Sequence, residues 1–271
     1  MRKRVRSQDP GAEPAGGAAT LVRGLEILRA FRPGDATLGN QDLIDRTGLP
    51  KATVSRLTAV LIDLGYLNYD DSLGRYSIGP ATVSLGYGAL SSSAVVHLAR
   101  PLMQSLAERT GAAVALGMLD GSHVVYLASC RSLSPVSLRL DSGSRIPIWR
   151  TAMGLALLSD MEPPQLSALL DRMVAAEPEH EARIREVVAN MDGELDRMGF
   201  ISVFGTWYSY INAVGVPFHP TDGSPSIALT CGGIVDILPR NRCLNEIGPA
   251  LVEMRDNLAR LLAGPSRQSP G

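Results

Sequence analysis

The sequence predicts an α+β protein with two domains, an N-terminal winged helix-turn-helix followed by a larger domain with a largely antiparallel sheet. In the first 80 residues, three segments with apolar residues at helical spacing precede a β-prone hairpin. After residue 111, apolar residues alternate with a period of two, and strands and helices form separate runs. The 271 residues, 45% hydrophobic and 20% charged, are enough for two domains with a sizeable core.

Changes in composition along the chain predict five regions. Residues 1–19 are rich in Gly, Ala, Pro and charge and have no apolar period, so we expect a disordered basic tail. We expect the winged helix-turn-helix at 20–79, a linker helix at 80–110, the sheet domain at 111–264 and a second disordered tail at 265–271. Pro101 should kink or restart the linker helix, because proline removes a helix-interior hydrogen bond.

The overall composition excludes several classes of protein without identifying one. The net charge of −1 does not mark a nucleic-acid binder, so the positions of the charges must decide. No apolar run is long enough to span a membrane, and no apolar stretch follows the basic start, so we expect neither a membrane segment nor a secretion signal. The three cysteines show no zinc-binding spacing, and their sparse, odd number suits a reducing cytoplasm.

The helix-turn-helix is predicted from three consecutive segments. "TLVRGLEILRAF" and "NQDLIDRTG" are the first two helices, and "LPKATVSRLTAVLIDLG" is the third. In the third helix Val54, Leu57, Leu61 and Leu64 form one apolar stripe, and Thr58 falls off it. "YLNYDDSLGRYSIG" then reads as two short strands around a turn, which is the order of a winged domain.

The polar start of the third helix is a candidate DNA-reading surface. The major groove admits one α-helix, and the N-terminal residues of such a helix reach base edges. Lys51 and Arg56 suit phosphate or guanine, Thr53 and Ser55 suit phosphate or base, and Ala52 suits a thymine methyl group. In the predicted wing, Arg75 suits a neighbouring backbone or minor-groove contact. The alternative is an ordinary amphipathic helix whose polar face is solvated.

Two sets of motifs in the right order give the chain a family resemblance. "LVRGLEILRAF", "LIDRTGLPKATVSRLTAVLIDLGYL" and "RYSIGPATVSLG" resemble the DNA-binding half of the IclR family of bacterial transcriptional regulators. "SGSRIPIWRTAMGLALLS" and "INAVGVPFHPTDGSPSIALTCGG" resemble that family's effector domain. The resemblance implies a linker helix for dimerisation and a GAF-like or profilin-like effector-binding domain.

The resemblance also implies partners. We expect a double-stranded DNA operator, a small-molecule effector, and assembly as a homodimer or as a tetramer built from dimers. We expect two copies to bind two half-sites of DNA, because one winged helix alone buries little surface. We expect a repressor, and neither a cofactor nor a metal.

The family motifs place an effector pocket on the sheet of the second domain. Carried over by motif, the pocket residues are Ala152, Met153, Asn212, Thr230 and Gly232. The aromatic stretch "FGTWYSY" adds Trp207 and Tyr210 as residues that stack on or hydrogen-bond to a ligand, the alternative being that the loop only packs against its domain. Three arginines near the motif, Arg139, Arg145 and Arg150, favour an anionic effector such as an organic acid.

Two other classes of function compete with this interpretation. A ligand-binding module could use its winged helix to contact protein instead of DNA. An enzyme is the least favoured class, because no nucleophile elbow, zincin motif or P-loop is present. Cys130, Cys231 and Cys243 could act as nucleophiles with His123 or His219, but inert buried thiols are the better interpretation. We therefore expect no catalytic residues.

Overall fold

The computed structural model describes residues 17–133, 140–220 and 223–263, and two compact units divide the chain between Ala89 and Leu90. The second predicted tail, residues 265–271, lies outside the described residues, as do residues 1–16 of the first. Residues 17–19, which we expected to be disordered, form the start of the first helix. None of the described helices is both long and apolar enough to cross a bilayer.

The elements are numbered in chain order. The helices are α1 (Gly17–Arg29), α2 (Asn40–Thr47), α3 (Lys51–Asp63), α4 (Pro80–Ser91), α5 (Ala94–Thr110), α6 (Ala152–Ser159), α7 (Pro163–Ala176), α8 (Glu181–Met198), α9 (Arg240–Arg242) and α10 (Gly248–Ala263). The strands are β1 (Leu38–Gly39), β2 (Leu67–Asp70), β3 (Arg75–Ile78), β4 (Ala113–Asp120), β5 (His123–Cys130), β6 (Arg145–Pro147), β7 (Ile201–Phe204), β8 (Ile211–Phe218) and β9 (Ile227–Ile234). A 3₁₀ turn (Pro178–His180) joins α7 to α8, and a π-helical turn (Cys243–Ile247) precedes α10.

The first unit is the predicted winged helix-turn-helix. Helices α1, α2 and α3 enclose a core in which Ile27, Leu43 and Val54 are fully buried. The β2–β3 hairpin forms the wing, and β1 pairs with β3 to complete an antiparallel sheet in the order β1-β3-β2. The predicted fold class is therefore confirmed in this half of the chain.

Two details of the predicted apolar stripe on α3 are wrong. Thr58 is buried. Its hydroxyl is satisfied there, because it donates to the Val54 carbonyl at 2.9 Å and lies 3.3 Å from the Tyr76 hydroxyl. A buried hydroxyl that is satisfied in this way carries little penalty. Leu64 is exposed, because the helix ends at Asp63 and Leu64 is already its C-cap.

The predicted linker is two helices. The break falls at residues 92–93, where the Ser93 hydroxyl accepts from the Val96 amide at 3.3 Å as the N-cap of α5. Helix α5 then continues through Pro101. The helix therefore restarts at Ala94, upstream of Pro101, where we expected the kink or restart. Helix α4 contains no buried residue and exposes Val83, Leu85 and Tyr87.

The second unit is built on a six-stranded antiparallel sheet in the order β6-β5-β4-β9-β8-β7. Helices α5 and α10 cover one face and enclose a core of side chains such as Val114, Val214 and Leu229. Helices α6, α7 and α8 cover the other face, where Ala115, Met153 and Ala228 are buried. This sheet with helices on both faces confirms the α+β class.

A β-bulge interrupts the alternation on β5. Leu116 pairs with Ala128 while Gly117 pairs with Tyr126, so Leu127 has no partner across the ladder. The extra residue reverses the side to which the following side chains point. Tyr126 and Ser129 therefore line the same cavity although they are three residues apart.

Two glycines allow the start of α6 to approach other backbone segments closely. A β-carbon on Gly154 would lie 2.1 Å from the carbonyl oxygen of Ile148, and one on Gly215 of β8 would lie 2.5 Å from that of Ala152. Backbone atoms cannot retreat as the end of a flexible side chain can, so these positions require glycine. They fix where α6 meets the sheet.

We predict opposite effects for two glycine-to-alanine changes. Gly154→Ala should lower the free energy of unfolding by at least about 2 kcal/mol, because the methyl group overlaps backbone. Gly193→Ala, in the exposed middle of α8 with nothing within 4 Å, should raise it by about 0.5–1 kcal/mol, because alanine is the better helix former. Urea unfolding of both variants measures this, and a neutral Gly154→Ala would mean that α6 can move freely.

Candidate functional sites

The predicted reading residues lie on the outward side of α3. Lys51, Ala52, Ser55 and Arg56 are exposed and Thr53 is half-buried, whereas the neighbouring Val54 and Leu57 are buried. Helical spacing therefore separates a polar surface from the packing face within the first two turns. The arrangement can present two cations and two hydroxyls to one groove of a duplex.

The N-terminus of α3 suits an anion. Its N-cap, Pro50, makes no side-chain cap, and no acidic residue stands in the first turn. The amide groups of the first turn and the positive end of the helix dipole are therefore found at the same end of α3 as Lys51, which carries an ammonium group. A phosphate is the group that such an arrangement stabilises.

Arg75 has contacts inside its own unit. Its Nε donates to Thr37 Oγ1 at 2.8 Å, and its Nη2 donates to the Thr37 carbonyl and to Asp42 Oδ2, both at 3.1 Å. Asp42 also accepts from the Gly39 amide at 2.8 Å. Arg75 thus joins the wing to the start of α2, and its contact with DNA stays a prediction.

A cavity lies between the second unit's sheet and α6. It encloses about 550 Å³ of atom-free space, counting its open mouth. Its walls are mostly apolar. They are formed by Ala113, Ala115, Tyr126, Ser129, Leu140, Ile146, Arg150, Thr151, Ala152, Met153, Val203, Trp207, Ile211, Ala213, Thr230 and Gly232.

Five of the seven residues that the sequence proposed for the effector site line this cavity: Ala152, Met153, Thr230, Gly232 and Trp207. Asn212 does not, because it lies between Ile211 and Ala213 on β8 and alternation turns it to the other face. There its amide donates to the Leu238 carbonyl at 2.8 Å. Tyr210 is also outside the lining, with 54% of its surface exposed, and it stacks on Tyr208.

Tyr126 and Ser129 also line the cavity and were not predicted from the sequence. The bulge that turns both toward the cavity leaves no sequence signature beyond a run of small and apolar residues. The Ser129 hydroxyl is buried and has no hydrogen-bond partner among the described residues, so it is a free polar group in a mostly apolar wall. Burial raises the pKa of Tyr126 and keeps its phenol neutral at physiological pH.

The three arginines near the motif differ in their positions. Arg150 lines the cavity and pairs with Glu177. Arg145 pairs with Asp120 and is not part of the lining. Arg139 lies outside the described residues.

The cysteines do not form a nucleophilic site with the histidines proposed for them. All three are buried and free, and burial raises the pKa of the Cys231 thiol to about 12 and that of Cys243 to about 11. Such thiols remain protonated and unreactive at neutral pH. Among the described residues, His219 bonds to Ser226 and lies 3.4 Å from Asp160, not beside a cysteine.

One group of described side chains has the spacing of a metal site. The potential ligand atoms of Glu177, Glu179 and His180 lie within 4.8 Å of one another. Both carboxylate oxygens of Glu177, however, already accept hydrogen bonds, one from Trp149 and one from Arg150. The group is therefore better suited to binding an arginine side chain than to binding a metal ion.

Known proteins resemble this chain over both of its units. The family profile of the IclR helix-turn-helix domain matches residues 20–71, and that of the bacterial transcriptional regulator IclR C-terminal domain matches residues 87–259. The HTH-type transcriptional regulator TsaQ1/TsaQ2 of Comamonas testosteroni is 31% identical over 94% of this chain and 92% of its own length. The transcriptional repressor IclR of Escherichia coli is 26% identical over 63% of each chain.

Solved structures show the same fold. An IclR family transcriptional regulator from Brucella abortus superposes with a TM-score of 0.79 at 36% identity, covering 89% of this chain and 91% of that one. An IclR homologue from Microbacterium hydrocarbonoxydans, solved in complex with 4-hydroxybenzoate, gives a TM-score of 0.65 at 21% identity over 89% and 95% of the chains. Two matched domains in order and a full-length relative lead to one conclusion: the chain belongs to the IclR family of bacterial transcriptional regulators.

Proposed function

We propose that the protein is a repressor that binds an operator through the N-terminal half of α3 and changes its affinity when a small molecule enters the cavity beside α6. The observation that carries the first part is the set of exposed residues Lys51, Ala52, Ser55 and Arg56 at a helix N-terminus that has no side-chain cap. The second part is supported by the apolar cavity and by the ligand of the Microbacterium relative. The sign of control is supported by relatives that are repressors.

Assembly as a homodimer or a dimer of dimers belongs to the same proposal. Helix α4 has no buried residue, yet it carries Val83, Leu85 and Tyr87 in exposed positions. Helix α1 likewise exposes Leu21 and Leu25. Exposed apolar rows of this kind are typical of surfaces that a second copy covers. We place the protein in the cytoplasm, where a regulator of a bacterial promoter acts, and we propose no catalytic activity.

The test of DNA binding is a fluorescence-anisotropy titration of the full chain. Duplex from upstream of its own gene is compared with a scrambled duplex at several salt concentrations. We expect tight binding to the upstream duplex that weakens steeply with salt, because phosphate contacts release counterions. No binding to either duplex at low salt would contradict the proposal and leave the winged helix as a protein-contact module.

Arg56 and Lys51 should differ in how they contribute. Arg56→Ala should cost about 1–3 kcal/mol of operator affinity and reduce the preference for the operator, because a bidentate contact to a base is lost. Lys51→Ala should weaken both duplexes alike and reduce the salt slope by about 1, as for a phosphate contact. Arg185→Ala, an exposed arginine of α8, is the control. An unchanged preference in Arg56→Ala would remove Arg56 from the reading surface.

Substitution of Trp207 and of Tyr210 should distinguish a residue that lines the cavity from one that lies outside it. Trp207→Ala should raise the concentration of effector needed for half-maximal release of the operator about three- to tenfold, because an aromatic contact is lost. Tyr210→Ala should leave it within about twofold, since Tyr210 is outside the lining. Anisotropy with a metabolite found by screening the operator complex measures both variants. The reverse ranking would place the effector on the outer side of this loop.

A further inference from the structure

Arg150 connects the cavity wall to a carboxylate of the protein itself. It directly precedes Thr151, the N-cap of α6, and its side chain is 28% exposed. Its Nη2 donates to Glu177 Oε2, and its guanidinium carbon lies 4.4 Å from the centre of the Trp149 ring. The other Glu177 oxygen accepts from Trp149 Nε1 at 3.2 Å. A guanidinium, an indole and a carboxylate thus form one cluster, and Arg150 is its member in the cavity wall.

Glu177 belongs to the connection between two helices. It is the C-cap of α7, and the 3₁₀ turn that leads into α8 begins at the next residue. Burial alone would raise the pKa of its carboxyl, but the hydrogen bonds from Arg150 and Trp149 outweigh burial and lower it. Glu177 is therefore an anion at neutral pH. The pair is about one-third exposed, and exposed pairs of this kind are weak and open to exchange.

The cavity has unused polar capacity beside Arg150. A guanidinium carries five N–H donors, and among the described residues only the Nη2 bond to Glu177 is formed. The buried Ser129 hydroxyl on the same cavity also has no partner. The other polar side chains of the wall, Thr151 and Thr230, already donate to backbone carbonyls, and the rest of the wall is mostly apolar, including Met153 and Trp207. This combination suits a ligand with an apolar body and one negatively charged planar end.

We propose that the effector is a small monocarboxylate with an apolar body, that Arg150 recognises its carboxylate, and that Glu177 is an internal carboxylate which the effector replaces on Arg150. This rests on the cavity being the effector site. The exchange leaves the guanidinium paired in both states, so no charge is buried alone. It frees Glu177, and with it the connection from α7 to α8, so that ligand entry changes the position of a helix junction.

Two matched acid–amide pairs test the recognition step: benzoate with benzamide, and hexanoate with hexanamide. Each amide has nearly the shape of its acid but no charge. Calorimetry on the full chain should give at least one acid a dissociation constant about tenfold or more below that of its amide, as expected for a charge-assisted contact. Arg150→Gln should remove the preference, and Arg145→Gln, whose arginine pairs outside the cavity, should keep it.

Substitution of Glu177 tests the exchange, because it should strengthen the binding of the acid whereas substitution of Arg150 should remove the preference for it. Glu177→Gln removes the competing charge, so it should tighten the binding of the acid about threefold or more while leaving the amide unchanged. Glu179→Gln is the matched control, because the Glu179 side chain is exposed and lies 3.8 Å from His180. Weaker acid binding in Glu177→Gln would overturn the exchange, because Glu177 would then support Arg150 and not compete for it.

Trp149 provides a readout that does not depend on affinity. The chain has two tryptophans, so Trp207→Phe leaves Trp149 as the only one. Acid binding should change Trp149 emission, since its indole loses the Glu177 acceptor, and the amide should not. If acid and amide bind equally in every variant, the proposal fails while the cavity stands as a site. If neither member of either pair binds while the operator is still bound, both the proposal and the cavity assignment fail, and DNA reading stands.

Discussion

The effector half of the protein depends on the close approach of α6 to its neighbours. Gly154 allows the first turn of α6 to lie against the Ile148 backbone, and Gly215 allows Ala152 to lie against β8. These contacts fix Thr151, Ala152 and Met153 over the sheet, and they hold Arg150 at the cavity edge. The opposite face of the sheet is covered by α5 and α10, which pack on β4, β5, β8 and β9.

The DNA-binding half could be predicted from its sequence almost element by element. The order of helices, the turn at Gly48 and the exposed start of α3 follow from spacing and capping signals that act within a few residues. Strand β1, which pairs with β3, was not predicted, and two residues at α3 differ in burial from the prediction. Thr58 is polar by type, but its hydroxyl is satisfied by its own helix and by Tyr76. Leu64 is apolar by type, but the helix has ended before it.

The cavity could be predicted only in part. The family motifs identified the segments that bring Met153 and Thr230 to it, but a motif does not show which side of a strand each residue takes. Asn212 was misassigned for that reason, since its neighbours Ile211 and Ala213 line the cavity. Ser129 was missed because one unpaired residue on β5 turns it inward. Arg150 was recognised as a nearby cation, but its pairing with Glu177 joins residues far apart in sequence and needed the structure.

The central claim is that one chain couples a DNA-reading helix to a small-molecule cavity, and thermodynamic linkage tests it most directly. The dissociation constant of the effector is measured by calorimetry for the free protein and for the protein saturated with operator, and that of the operator with and without effector. Coupling requires both ratios to differ from one and to be equal, because linkage is reciprocal. If operator leaves the affinity for the effector unchanged, the cavity does not control DNA binding, and this account of the protein is contradicted.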